Sequence, residues 1–105
     1  NRNNMEQEII LDVSQDVAIL SINKALTYEQ LDEIGAKVDE ALGHKNQLTF
    51  NLNEIESIDM SGIQYIISQK KSLEERDVKC SISGTFTDEI LKLVDNAGFN
   101  KHLNT

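Results

Sequence analysis

The sequence predicts a single α/β domain with the element order β-β-α-β-α-β-α. Three observations carry this. The chain has 105 residues, the size of one ordinary domain. Segments of apolar alternation, such as Leu48, Phe50 and Leu52, are interleaved with segments whose apolar residues recur three or four apart, such as Ile34, Val38 and Ala41. The two opening strand-like segments are separated only by Ser14-Gln15-Asp16, which makes them an antiparallel hairpin. Each later strand is separated from the last by a helix, which makes parallel crossovers.

The first strand covers residues 8–14, with Ile9, Leu11 and Val13 on one phase. Residues 17–23 are apolar on both phases, the pattern of a central strand covered on both faces. Asn23-Lys24-Ala25-Leu26 reads as a short loop. Thr27 followed by Gln30 is a capping box. Tyr28, Leu31, Ile34, Val38, Ala41 and Leu42 then form the buried stripe of a helix. Glu29, Asp32, Glu33, Lys37, Asp39 and Glu40 form its solvated face, and Gly43 is the stop.

The third strand is residues 47–52, and 53–59 read as a loop with Ile55 and Ile58 tucked onto the core. A second helix runs from Ser61 to about Glu75, with Ile63, Ile66, Ile67, the stem of Lys70 and Leu73 inward. Val78, Cys80 and Ile82 alternate in a fourth strand, where Cys80 reads as a small core residue rather than a reactive thiol. Thr85 with Asp88, or Thr87 alone, caps a third helix bearing Ile90, Leu91, Val94 and Ala97. Gly98 ends it, with Phe99 placed for the contact that follows such a stop. Residues 1–7 read as a polar tail and 8–103 as the domain.

Composition excludes several classes of function. With 39% apolar and 27% charged residues, the chain is globular in type. No apolar stretch approaches the roughly 18 residues needed to span a bilayer, and no signal peptide is apparent, so a cytoplasmic location is expected. One cysteine, Cys80, allows no internal disulfide, and with His44 and His102 scattered it argues against a metal site. A net charge of −8 argues against nucleic acid or an anionic membrane as partner, and leaves a basic protein partner open. Neither histidine is placed to complete a Ser–His–Asp set, and there is no glycine-rich phosphate loop. The expectation is a protein that is not an enzyme and carries no cofactor.

Chemistry concentrates at one strand-to-helix corner. The stretch from Glu56 to Ile67 passes through Asp59, Ser61 and Gly62 just as the second helix opens. A helix start presents free N–H groups in a positive backbone field. Ser61 has two readings there: an N-cap whose hydroxyl accepts one of those bonds, or a phosphoacceptor. A second corner, Ser83-Gly84-Thr85, follows the fourth strand. Both loops, 53–62 and 83–87, lie at carboxyl ends of strands, where open sheets bind ligands and partners.

The segment Ile58-Asp59-Met60-Ser61-Gly62-Ile63, placed after the 47–52 strand, resembles the Asp-Ser/Thr-Ser-Gly signature of the STAS domain family, the anti-sigma factor antagonists and their relatives. The resemblance runs from about Glu8 to Leu103 and includes the closing Ala97-Gly98-Phe99. It implies a mixed four- or five-stranded sheet with helices packed on it, and a non-enzymatic regulatory role. It implies that Ser61 is phosphorylated by a partner anti-sigma factor kinase and reset by a phosphatase, with Asp59 the acid beside it. Gly62 would let a partner backbone approach closely, and Gln64 and Tyr65 would lie near the rim. The partner surface so expected comprises Asp59, Met60, Ser61, Gly62, Gln64 and Tyr65, with Gly84 and Thr85 from the second corner.

Two departures stand against that reading. Met60 occupies a position that is usually a small hydroxyl residue, and Asn23-Lys24-Ala25-Leu26 lacks the family's Gly-x-Leu/Ile-Asp pattern. They favour an alternative: a constitutive STAS subunit of a chemotaxis-type signalling or lipid-transport assembly, with Ser61 only a helix cap. A third reading, an enzyme or small-ligand binder, requires a concave pocket between 53–62 and 83–87.

Overall fold

The structure, a computed structural model, describes residues 9–14, 16–43, 46–96 and 98. The expected tail at 1–7, the histidines, and the contacts of Phe99 and Leu103 lie outside the described residues. Strands β1 (Ile9–Val13), β2 (Ala18–Ile22) and β3 (Lys24–Leu26) precede a 3-10 turn at Tyr28–Gln30 and helix α1 (Leu31–Leu42). Then follow β4 (Gln47–Leu52), β5 (Ile55–Ile58), α2 (Met60–Glu75), β6 (Lys79–Gly84) and α3 (Asp88–Asn96).

The main sheet has the order β1-β2-β4-β6. The β1–β2 hairpin is antiparallel, with Ile9 opposite Ile22, and the Ser14 N–H donates to the Val17 carbonyl at 3.1 Å. The pairs β2–β4 and β4–β6 are parallel and bring Leu20, Phe50 and Ile82 side by side. All three are fully buried and form the centre of the core. The strand order advances one way through two crossovers, so the right-handed rule places α1 and α2 on the same face. They cover it with Ile34, Val38 and Ala41 from α1 and Ile63, Ile66, Ile67 and Leu73 from α2, while α3 adds Ile90 and Val94.

The opposite pleat of β2, β4 and the edge strand β6 carries Ile19, Ser21, Thr49, Asn51, Ser81 and Ser83, all half-buried. Strand β2 is therefore interior, as its pattern indicates, but fully covered on one face rather than two. Among the described residues no helix is long and apolar enough to cross a membrane.

Three local expectations are corrected. Residues 24–26 and 55–58, read as loops, are β3 and β5, and they pair in parallel as a small second sheet with an irregular register between Lys24 and Ala25. They prolong the β2–β4 pair beyond the main sheet and carry the chain to the corner. Tyr28, expected in the buried stripe of α1, is 72% exposed. It lies in the 3-10 turn, where three residues per turn rotate it off the stripe that begins at Leu31. Helix α2 opens at Met60 rather than Ser61. Gly43 caps α1 directly after its last residue, as the reading of it as the stop expects, in a right-handed conformation, φ −71°. By contrast Gly98 does adopt φ 71°.

Candidate functional site

The corner is built around Asp59. Its backbone is extended, φ −125° and ψ 173°, which puts it in the N-cap position of α2. Its Oδ1 accepts a hydrogen bond from the Gly62 N–H at 2.7 Å. Its Oδ2 accepts one from the Tyr28 N–H at 3.1 Å. Its own N–H donates to the Leu26 carbonyl at 3.2 Å. One side chain thus ties the start of α2 to the 3-10 turn, while the backbone ties it to the end of β3. Of the two readings of Ser61, the N-cap reading does not hold, because Asp59 occupies that position and its carboxylate takes the Gly62 N–H.

That leaves Ser61 in the first turn of α2 with its side chain exposed, and its hydroxyl forms no hydrogen bond among the described residues. Met60 is 44% exposed and Gln64 is exposed one turn on, so the three share the outer edge of the corner. Gly62 and Tyr65 do not join them. A Cβ on Gly62 would stand 2.1 Å from the Leu26 carbonyl oxygen. The backbone that approaches Gly62 is therefore the chain's own. Tyr65 is half-buried, and its hydroxyl lies 2.8 Å from where a Cβ on Gly35 would be. That hydroxyl accepts from Gln69 Nε2 at 2.9 Å, so Tyr65 wedges α2 against α1 instead of lining the rim.

The second corner is joined to the first through Asn53. The Thr85 hydroxyl donates to Asn53 Oδ1 at 3.1 Å, and Asn53 Nδ2 donates to Ser83 Oγ at 3.1 Å and to Asn51 Oδ1 at 2.6 Å. Asn51 Nδ2 in turn donates to Ser21 Oγ at 3.1 Å. A polar row thus crosses β2, β4 and β6 and holds the loop after β4 to the loop after β6. Gly84 is covered by its own chain: a Cβ there would meet the Phe86 ring at 2.5 Å. Of the two caps considered for α3, Thr87 is the one used, its Oγ1 accepting from the Ile90 N–H at 3.3 Å.

The exposed groups at these loops are a hydroxyl, a thioether, an amide and the carboxylates of Glu29, Glu54 and Glu56. Among the described residues no three His, Cys, Asp or Glu side chains converge to hold a metal. A depression of about 430 Å³ lies at the far end of β6, lined by Glu74, Asp77, Val78 and Lys79, and belongs to neither corner.

The sequence matches the STAS domain over residues 8–105. The chain belongs to the STAS domain family. The STAS fold is seen again in solved structures. The anti-sigma factor antagonist SpoIIAA in its unphosphorylated form aligns with a TM-score of 0.72 at 15% identity, covering 91% of this chain and 85% of that one. The Bacillus cell fate determinant SpoIIAA in the phosphorylated form aligns at 0.67 and 16% identity, covering 91% and 88%. An anti-sigma factor antagonist from Mycobacterium paratuberculosis aligns at 0.71 and 13% identity, covering 90% and 80%. At these identities the likeness is one of fold. A search of curated proteins found no match.

One apparent departure of this STAS chain has a structural account. Lys24 adopts φ 71°, the left-handed conformation that glycine takes most readily, and its N–H donates to the Glu54 carbonyl at 2.9 Å. The backbone turn that a glycine would favour is therefore made here by a lysine, followed by Leu26 two residues on. Tyr28, expected in the buried stripe of α1, instead stands exposed at this corner, bonded through its N–H to Asp59. Its signal was the Thr27–Gln30 box, in which Gln30 Oε1 accepts from the Thr27 N–H at 3.0 Å and from the Thr27 hydroxyl at 2.6 Å.

Proposed function

We propose that the chain is a regulatory protein-binding module of the anti-sigma factor antagonist type, a docking protein rather than a catalyst. Its docking surface is the outer edge of the Asp59 corner, and Ser61 is the phosphoacceptor of a partner serine kinase, reset by a phosphatase. One observation carries the reading: Asp59 does the capping, and the Ser61 hydroxyl is exposed and free of any hydrogen bond among the described residues. In the transfer, Ser61 Oγ attacks the γ-phosphorus of the kinase's ATP, the bond to ADP breaks, and the hydroxyl proton leaves to the kinase's base.

The product adds roughly −1.5 to −2 charges at the positive end of α2. The helix dipole favours that charge inside the domain, whereas the bulk of the phosphoryl group stands in the way of a docked partner. This supports a switch that acts on binding and leaves the fold intact. The reading of Ser61 as a cap alone loses its basis once Asp59 fills that position.

The test compares wild type, Ser61→Ala and Ser61→Asp for binding to the partner recovered and identified from the host cell, alongside intact-mass analysis of the protein isolated from that cell. A single phosphate mapped to Ser61, with Ser61→Asp binding at least tenfold more weakly than Ser61→Ala, is the expected result. Equal binding by all three proteins overturns the switch.

A further inference from the structure

The largest exposed apolar side chain among the described residues is Tyr28, at 72%, followed by Met60 at 44%. The two leave the backbone on either side of one group, since the Tyr28 N–H bonds the Asp59 carboxylate and Met60 follows Asp59 in the chain. We infer that Tyr28 and Met60 form an apolar anchor for a protein partner that presents an apolar slot rimmed by lysine and arginine. This rests on the docking reading above and extends it to a residue outside the signature and to the chemistry of the partner.

The first argument is preorganisation. An exposed tyrosine on a mobile loop would lose its freedom on binding and so contribute less affinity. Tyr28 is instead held at its N–H by Asp59, within a turn that begins at the Thr27–Gln30 bonds. Its ring is presented by a fixed backbone, the arrangement that makes an aromatic residue a dominant contact. Met60, the residue after the carboxylate that holds Tyr28, is unbranched and adapts to the contour of whatever covers it.

The second argument is charge. The exposed charges that follow Tyr28 are Glu29, Asp32 and Glu33, and Glu56 lies on the strand that leads to Asp59. Lys24 is the exposed cation of the neighbouring β3. With a net charge of −8 behind this patch, a basic rim is attracted to it and an acidic one is repelled. The apolar pair supplies the anchor and the acids select the partner.

The experiment places a photo-crosslinking residue, Tyr28→p-benzoylphenylalanine, in the full chain in host cells, with Gln64→p-benzoylphenylalanine as a second probe at the corner. The crosslinked peptide is sequenced, and the identified partner is purified. It is then titrated with wild type, Tyr28→Ala and Glu29→Lys/Asp32→Lys at low and high salt. The proposal expects a crosslinked peptide that combines apolar residues with at least two Lys or Arg. It also expects about 30-fold weaker binding for Tyr28→Ala, the loss typical of a dominant aromatic contact, and binding that falls with salt and with charge reversal. A partner captured from position 64 but not from 28, or affinity unchanged in Tyr28→Ala, overturns the anchor and leaves docking at the corner standing. An acidic crosslinked peptide overturns the charge argument and with it the proposal. Capture from neither position defeats the docking reading itself. Tyr28 is exposed, so unchanged thermal unfolding of Tyr28→Ala separates an effect on binding from an effect on folding.

Discussion

The Asp59 carboxylate accepts the backbone N–H of Tyr28, 31 residues earlier in the chain, while its other oxygen caps α2 through Gly62. A single side chain therefore fixes two elements that meet only through the fold. Replacing it with alanine removes a helix cap and orphans a second donor, and each loss costs about 1 kcal/mol. Asp59→Ala is expected to lower unfolding free energy by about 2 kcal/mol in urea titration. Asp59→Asn is expected to lose less, because the amide keeps one acceptor for Gly62 but turns a donor toward Tyr28. If both variants match wild type, the carboxylate does not hold the corner.

Gly62 is a steric requirement of the same corner. A methyl group there would stand 2.1 Å from the Leu26 carbonyl oxygen and 2.7 Å from its carbon, and both are backbone atoms that cannot swing away. Helix α2 would have to lift from β3. Gly62→Ala is expected to destabilise the protein by about 3 kcal/mol or more, at the upper end of overpacking costs, measured by chemical denaturation. Gly84→Ala should cost less, because its obstacle is the far edge of the Phe86 ring.

Among the described residues two non-glycine residues sit in the left-handed region, Lys24 at φ 71° and Asp77 at φ 62°. For lysine that conformation costs about 1–2 kcal/mol, against an entropic cost of roughly 0.5–1 kcal/mol for glycine. Lys24→Gly is therefore expected to raise stability by about 0.5–1 kcal/mol, a few degrees in thermal midpoint for a domain of this size. Asp77→Gly should gain less, because aspartate visits this region more readily. A lower midpoint for Lys24→Gly would mean that the lysine side chain contributes something that its backbone strain conceals.

Ser61 gives a contrast that separates structure from function. An exposed first-turn residue with no side-chain bond should tolerate truncation, so Ser61→Ala is expected within about 0.5 kcal/mol of wild type. A loss near 1 kcal/mol would restore the cap reading and weaken the case for a phosphoacceptor. Parallel melts of Ser61→Ala and Asp59→Ala decide which residue caps α2.

What the sequence disclosed, and what it withheld, follows from the range of the interactions. Strand β4 alternates strictly, and its observed bounds, Gln47–Leu52, are those of the pattern. The buried faces of α1 and α2 follow from their periodicity for the same reason, since burial on one face forces a period. Strands β3 and β5 are three and four residues long and pair across an irregular register, so no alternation survives to announce them. Only Ser61 was weighed as a cap, although aspartate is as good an N-cap and Asp59 stands two residues earlier. The cap is decided by the bond from the Gly62 N–H to Asp59, and the further bond to Tyr28 is one that local pattern does not contain. Tyr28 itself was misplaced because a helix that opens with a 3-10 turn breaks the 3.6-residue phase from which its burial was read. Glycine at 62 was legible as a place of close approach, but not that the approaching backbone is Leu26.

Cys80 carries the last prediction. It is 5% exposed on β6, and burial pushes its thiol from 9.0 up to about 12, with Lys70 acting to lower it and Glu74 to raise it. At neutral pH the thiol is protonated and shielded, so alkylation should occur only through opening of the fold. The linkage has a definite sign. Above pH 9 the unfolded chain releases the thiol proton while the folded chain retains it, so the folded state binds more protons and stability falls as pH rises. The contribution is intact below pH 9 and is lost progressively between about pH 9 and 12. Other groups titrate in that range, so the measurement is the difference between wild type and Cys80→Ala. Cys80→Ala should start less stable by about 1–2 kcal/mol, because removing the buried sulfur leaves a small void, and the gap should narrow as pH rises from 9 toward 11. A gap independent of pH would mean that the thiolate is no worse accommodated in the folded core than in the unfolded chain.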